Sequence, residues 1–216
     1  MKKIASPLFQ DLSEAELDTL AAAGHLRTRQ FAKHEVIFRA GSCVREIGIV
    51  LRGSVHIENL DLWGTKSILS SVGAGQAFAE TYAFCGEALM VDAVAAEHCE
   101  ILFLHTATLT DARIEPALQD KLLRRLLAVS MRKNLSLSQR IFCTTPKTVR
   151  GRLLTYFSAQ AARCGRMEFE VPFNRQQMAD YLNLDRSALS KELCKMRDEG
   201  LLEFDKNRFV LKQLPE

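Results

Sequence analysis

Apolar positions along the chain follow two periods, and the change from one to the other divides it. In the first half they recur in short alternating runs: Ile47, Ile49 and Leu51 form one, and Val55 and Ile57 follow Gly53 as another. Together with Glu35–Arg39, Lys66–Val72 and Ala93–Leu104 these runs read as strands, and Asp61-Leu62-Trp63-Gly64 reads as a hairpin tip. Glycines at 24, 41, 48, 53, 64, 73, 75 and 86 punctuate the runs, and the next is Gly151. Many short strands with glycine turns predict a sandwich or jelly-roll barrel, followed by a helical stretch. One helix precedes the strands. Ser13 and Glu16 have capping-box spacing, Leu12 and Leu17 are placed as a hydrophobic staple, and Gly24 suits the left-handed stop.

Beyond residue 115 the period becomes helical. The longest such pattern runs from Pro116 to Arg140, with Pro116 in the first turn, where its missing N–H costs nothing. Leu118, Leu122, Leu126 and Val129 make one apolar stripe. Leu123, Leu127, Ser130, Asn134, Leu137 and Ile141 make a second beside it. Such a helix is either enclosed within one domain or paired with a second copy of itself. Asn134 within the second stripe favours the pair, because a polar residue at a helix seam fixes register. Thr145-Pro146 then predicts a new helix, capped by Thr145 and running to the Cys164-Gly165 stop.

Residues 174–200 predict two helices joined by a very short turn. Asn174 and Gln177 have capping-box spacing, with Phe173 and Met178 as the staple. Asn183-Leu184 forms the turn, Asp185 caps the second helix and Gly200 closes it. Met178, Ala179, Leu182, Leu184, Leu189, Leu193 and Met196 are expected to face inward, while Arg186, Ser187, Ser190 and Lys191 share the opposite face. Helix-turn-helix motifs use that polar N-terminal half of the second helix to reach base edges, and basic groups nearby to hold phosphates. Leu202–Phe204 and Arg208–Leu211 flank Asp205-Lys206-Asn207 as a wing with a basic tip.

Charge sharpens this reading. The net +3 of the 216 residues is not spread evenly: residues 1–144 carry 16 Lys and Arg against 16 Asp and Glu, and residues 145–216 carry 13 against 10. The whole excess lies in the last third, the part that contains the helix pair, and hints at a polyanionic partner. The six cysteines stand singly, without C-x-x-C spacing and with none three to five residues from a histidine, so neither a zinc site nor a redox pair is expected and the thiols read as small hydrophobes. No apolar run approaches membrane-spanning length and no signal peptide is recognisable, so the sequence reads as cytoplasmic and not membrane-bound.

Nearly the whole chain resembles the Crp/Fnr superfamily of bacterial transcription regulators. The stretches that carry the resemblance are Asn174-Arg175-Gln176-Gln177-Met178-Ala179-Asp180-Tyr181-Leu182 and Asp185-Arg186-Ser187-Ala188-Leu189-Ser190-Lys191-Glu192-Leu193, with Leu8-Phe9 and Gly53-Ser54-Val55 in the first part. The fold it implies is α+β: a jelly-roll-like β-roll sensor domain over 1–112, a long dimerisation helix over 113–143 and a winged helix-turn-helix over 144–216. It further implies a homodimer on double-stranded DNA with two-fold symmetry, with RNA polymerase as partner where the protein activates. By the same resemblance Arg186, Ser187, Ser190 and Lys191 read bases and Arg175 at the helix start touches phosphate, while Lys206 at the basic wing tip is expected to join them on DNA. Many relatives carry glutamate at the place of Ser187 and arginine at that of Lys191, so a different operator is expected.

The sensor is expected to differ as well. Members that bind cyclic nucleotides have Phe-Gly-Glu followed by an Arg-Ser/Thr pair that holds the phosphate. Here the first becomes Phe78-Ala79-Glu80, the second falls on apolar Leu89-Met90-Val91, and no arginine lies between Arg52 and Arg113. An unpaired phosphate in such a pocket is costly, which argues against cAMP. The cysteine cluster of iron–sulfur relatives is absent, and His25, His34, His56, His98 and His105 carry no haem pattern. The cofactor is therefore unassigned, and an apolar small molecule near Phe78, Glu80, Tyr82, Leu89, Met90, Ser130 and Asn134 is the expected effector, with a redox signal as the other possibility. Two alternatives remain open from sequence: a regulator without effector, and a cupin-like metal enzyme, which needs a His/Glu metal set that the isolated histidines do not form. No catalytic constellation is visible, and a non-enzyme is expected.

Overall fold

A computed structural model describes residues 4–60 and 66–212, so the expected hairpin tip at Asp61-Leu62-Trp63-Gly64 lies outside the described residues. The fold is α+β, in two compact units, Met1–Arg132 and Lys133–Glu216. In the first, a 3-10 turn (Pro7–Phe9) and α1 (Glu14–Ala22) lead into β1 (Leu26–Phe31), β2 (Val36–Phe38), β3 (Glu46–Arg52), β4 (Ser54–Leu60), β5 (Lys66–Gly73), β6 (Ala77–Phe78), α2 (Glu80–Cys85), β7 (Asp92–Ala95) and β8 (Cys99–His105). The long α3 (Pro116–Thr144) begins in the first unit and ends in the second. There α4 (Val149–Cys164), β9 (Glu168–Glu170), α5 (Arg175–Leu182), α6 (Arg186–Asp198), β10 (Leu202–Asp205) and β11 (Arg208–Leu211) complete the chain.

Two antiparallel four-stranded sheets build the first unit, in the orders β1-β8-β3-β6 and β2-β7-β4-β5. Phe31, Val50, Val55, Phe78, Ile101 and Phe103 form the core that both sheets share. The other face of the first sheet carries Leu26, Ile47, Ile49, Leu102 and Leu104. Leu17 and Leu20 of α1 cover it, together with Leu118, Leu122 and Leu126 of α3. A sheet buried on both faces needs apolar residues at successive positions. This is why β3 and β8 read as nearly continuous apolar segments, paired as Ile47↔Leu104 and Ile49↔Leu102.

Two glycines make this packing possible. Gly48 pairs with Phe78, and the ring of Phe78 fills the space that a side chain at 48 would need. Gly53 turns the chain from β3 into β4 at φ +81°, with the position of a Cβ 2.6 Å from the carbonyl oxygen of His98. Only glycine meets both demands there. The α1 capping box forms as expected, with the Glu16 carboxylate accepting from Ser13 N–H at 2.7 Å and Ser13 Oγ accepting from Glu16 N–H at 3.2 Å.

Two local expectations are corrected, and one strand, β1, was not expected. The run Ala93–Leu104 is broken into β7 and β8 by a turn. Thr145 is not a helix cap: α3 continues to Thr144, Thr145 Oγ1 donates back to the Ile141 carbonyl at 2.8 Å, and Thr148 caps α4. The strand β1 lacks an apolar alternation because it is an edge strand whose arginines do the covering. The guanidinium groups of Arg27 and Arg29 lie 4.3 and 4.5 Å from the ring centres of Phe103 and Phe31.

Substituting Gly53→Ala forces an unfavourable backbone and a close approach together, and is expected to destabilise the first unit by about 2 kcal/mol or more. Urea unfolding followed by far-ultraviolet circular dichroism measures it.

Candidate nucleic-acid interface

The helix pair of the second unit is built from its caps inward. Asn174 Oδ1 accepts from Gln177 N–H at 2.9 Å while Gln177 Oε1 accepts from Asn174 N–H at 2.9 Å, closing the capping box that starts α5. Asn183 ends α5 in the left-handed region at φ 53°, which turns the chain at once toward α6. Asp185 caps α6, its carboxylate accepting from Ala188 N–H at 2.9 Å and from the Ser187 hydroxyl. These bonds hold the Asp185 carboxyl below its ordinary range. Its contribution to the helix is therefore complete above that range and is lost as the pH falls through the lowered value.

Packing then orients the pair. Met178, Ala179, Leu182, Leu189, Leu193 and Met196 are buried in one cluster with Leu153, Tyr156 and Phe157 of α4 and Phe169 and Phe209 of the β10-β11-β9 sheet. Leu184 is partly buried against it. Polar bonds reinforce the corner. Arg152 donates to the carbonyls of Leu182 (3.1 Å), Asn183 (2.7 Å) and Pro146 (2.8 Å), and Arg140 donates to those of Tyr181 and Asp180, both at 3.0 Å. Arg150 of α4 grips Glu192 at 2.6 Å and Glu199 at 2.9 Å, which pushes the arginine up and the Glu199 carboxyl down from their ordinary values.

The opposite face of α6 is open. Arg186, Ser187 and Lys191 are exposed and Ser190 is half-buried. The Ser187 hydroxyl spends its proton on Asp185, so towards an external partner it offers lone pairs. Lys191 lines a groove of about 690 Å³ with Cys194, Lys195 and Val149. Lys195, one turn beyond Lys191, belongs to this surface and was legible from its i+4 spacing. Arg140, Arg150 and Arg152 carry no such signal, since their partners are distant in sequence.

Arg175 departs from a free phosphate contact. Its guanidinium lies 4.9 and 5.0 Å from the ring centres of Phe204 and Phe209, and burial lowers its pKa. With Lys206 it lines a cleft of about 470 Å³ that also includes Asn174 and Asn207. Lys206 stands exposed at the turn of the wing, at φ 51°.

In the first unit the expected effector residues have unlike surroundings. Phe78 is part of the inter-sheet core, Glu80 and Leu89 are buried at 6% and 5% exposure, Tyr82 is half-buried, and Met90 is 77% exposed. Ala79 adopts φ 61°, the left-handed conformation for which the family's glycine is suited. On α3, Leu123, Leu127 and Met131 are exposed within the first unit, and Asn134, Leu135, Leu137, Ile141 and Phe142 within the second, with Ser130 half-buried. Of the cysteines only Cys99 and Cys143 are buried; the other four are exposed and do not act as core residues. Among the described residues no three His, Cys, Asp or Glu side chains gather as metal ligands, and no helix is long and apolar enough to cross a membrane.

A double-sheet unit, a long helix and a winged helix-turn-helix with exposed basic residues on its second helix define a DNA-binding transcription regulator with a cyclic-nucleotide-binding-like domain. Residues 28–113 match the cyclic nucleotide-binding domain family and residues 151–216 the Crp-like helix-turn-helix domain family. The chain belongs to the Crp/Fnr superfamily, whose members here are transcription regulators and not enzymes. The catabolite activator protein of Thermus thermophilus is similar at 25% identity, with TM-score 0.50 over 96% of this chain and 94% of that one. The fold is shared with CLP, the c-di-GMP responsive global regulator of Xanthomonas campestris, at 19% identity, TM-score 0.55 and coverage of 93% and 100%. It is shared also with CprK complexed with OCPA, at 14% identity, TM-score 0.64 and coverage of 94% and 91%. No curated protein matches the chain.

Replacing Arg152 by Met removes charged donors from three carbonyls and is expected to destabilise the second unit by about 2 kcal/mol. Thermal unfolding of the variant, read by circular dichroism, checks this.

Proposed function

We propose that the protein is a homodimeric regulator that reads a two-fold symmetric operator through Arg186, Ser187, Ser190 and Lys191, under the control of a small-molecule or redox signal other than cAMP. The observation that carries the DNA assignment is the two-sidedness of α6. Leu189, Leu193 and Met196 are at most 1% exposed, while Arg186 and Lys191 stand in solvent at the helix's N-terminal half. Arginine and lysine so placed suit guanine O6 and N7, and hydroxyl oxygens accept from exocyclic amines. Arg175 and Lys206 border one cleft, which suits a backbone phosphate held between α5 and the wing.

Residues 1–112 act in this reading as the sensor, 113–143 as the dimerisation helix and 144–216 as the DNA reader. The apolar side chains left exposed on α3, Leu123, Leu127, Leu137 and Ile141 among them, supply the seam, with Ser130 and Asn134 setting register. The signal is received around Phe78, Glu80, Tyr82, Leu89 and Met90. Buried Leu89 and the absence of arginine between Arg52 and Arg113 remove the cation that a cyclic phosphate requires. CLP, with its c-di-GMP response, and CprK, with its bound OCPA, are examples of this fold serving other effectors. RNA polymerase is the further partner if the protein activates.

Genomic fragments selected by the purified protein provide the operator. On it, Arg186→Ala is expected to weaken specific binding by roughly 1–3 kcal/mol, whereas Lys206→Ala weakens all DNA alike and lowers the salt slope by about 1. Equal operator affinity of wild type and Arg186→Ala, by fluorescence anisotropy, refutes the assignment of the reading helix. The double variant Leu127→Lys/Leu137→Lys is expected to sediment as a monomer, and cAMP to leave the melting temperature of the wild type unchanged.

A further inference from the structure

The first turn of α6 commits a hydroxyl proton to a neighbour. The Asp185 carboxylate accepts from Ala188 N–H at 2.9 Å and, through the same oxygen, from the Ser187 hydroxyl. That hydroxyl, with the backbone N–H groups of Ala188, Ser187 and Arg186, holds the carboxyl below its ordinary range. An ionised carboxylate only accepts, so the proton between the two side chains is the serine's. Asp185 is the N-cap, fixed by the helix it begins, and its negative charge sits where the helix dipole favours it. Both residues are exposed, as is Arg186 between them, so what this pair turns outward is oxygen lone pairs.

Resting on the reading of α6 as the helix that enters the major groove, we propose that Asp185 is a specificity-determining residue. By holding the Ser187 proton, it makes Ser187 select a base that presents an exocyclic amine, adenine N6 or cytosine N4. Guanine and thymine are rejected at that position. A serine on a reading helix is ordinarily ambivalent, because its hydroxyl donates or accepts as the facing base requires. Here the donor already has a partner, and that partner is charged, which makes the internal bond stronger than one to a base. An amine satisfies a free lone pair of Ser187. A keto oxygen or a purine N7 sets acceptor against acceptor, and in a contact emptied of water both stay unpaired. Discrimination of this kind comes from the penalty on the wrong base as much as from the bond to the right one. Arg186 has the complementary chemistry, donors only, so the two adjacent residues of one turn ask for opposite groups on the DNA.

Selection from a random duplex library by the full-length wild type and by Ser187→Ala locates the base pair that Ser187 reads. At that pair the amine is deleted, with purine for adenine or 2-pyrimidinone for cytosine, or N7 is replaced by carbon in a 7-deazapurine. Fluorescence anisotropy then gives the affinity of each protein for each duplex. Any weakening of the duplex itself affects both proteins alike, so the ratio of wild type to Ser187→Ala isolates the contact. That ratio is expected to fall about fivefold to tenfold on loss of the amine and to stay unchanged on loss of N7. Asp185→Gly keeps most of the capping stability and frees the proton. This variant is expected to bind duplexes with the amine-bearing or the keto base at that position within about twofold of each other. Identical selected sequences for wild type and Ser187→Ala overturn the proposal, as does a ratio that responds to N7 and not to the amine. Wild-type discrimination retained by Asp185→Gly overturns it too. Failure of the underlying reading is recognised separately, by Arg186→Ala binding the operator as tightly as wild type. With Arg186→Ala weakened and Ser187 uncoupled from the amine, the reading helix stands and the role of Asp185 alone falls.

Discussion

The last carbonyls of α5 have no amide partners within the helix, and arginines from two other helices meet them. Arg152 of α4 and Arg140 of α3 donate charged hydrogen bonds to the carbonyls of residues 180 to 183, where the left-handed Asn183 turns the chain. With the carbonyl end so held, two residues suffice to bring Asp185 into place as the cap of α6. The apolar cluster centred on Leu182, Leu189 and Leu193 then sets the crossing of the helices, and Arg186 and Lys191 face outward as a consequence. Remove the carbonyl partners and the corner loses the charged contacts that connect it to its neighbours.

The same economy governs charge. Part of the basic content of the last third is committed to internal pairs: Arg150 with Glu192 and Glu199, Arg208 with Glu168, Arg197 with Asp198 and Lys212 with Glu203. What remains at the proposed reading surface is a small number of exposed cations, Arg186, Lys191, Lys195 and Lys206 among them. Placement on one helix face and one wing turn therefore matters more for a polyanion than the net value of +3. In the first unit, a sheet with two buried faces ties α1 and the start of α3 to one core, and salt bridges such as Lys121–Glu16 (2.6 Å) add to an association that apolar burial dominates.

Features whose physics is local were legible in the sequence. Both capping boxes, the Asp185 cap, the left-handed glycine after α1 and the wing strands all depend on residues within a few positions of one another. Helix-turn-helix spacing and the inward set from Met178 to Met196 were readable for the same reason, since a 3.6-residue period needs no distant partner. Strand β1 was not, because its arginines lie over aromatic rings contributed by a neighbouring strand as well as by its own. Nor was the choice between Thr145 and Thr148 as cap: both have the right side chain, and only the continuation of α3 through Thr144 decides it.

The candidate site divides along the same line. From the sequence came the proposed reading helix, its polar face and, through the family resemblance, the mismatch of Leu89-Met90-Val91 with a phosphate pocket, since each is a matter of residue type at a given spacing. Only the tertiary structure decided that Arg175 rests on Phe204 and Phe209 beside Lys206, and that the Ser187 proton belongs to Asp185. It alone showed that the Tyr156 hydroxyl is buried with no hydrogen-bond partner among the described residues. A side chain's hydrogen-bonding and charge state depend on what surrounds it in space, and those neighbours come from segments that no local pattern connects.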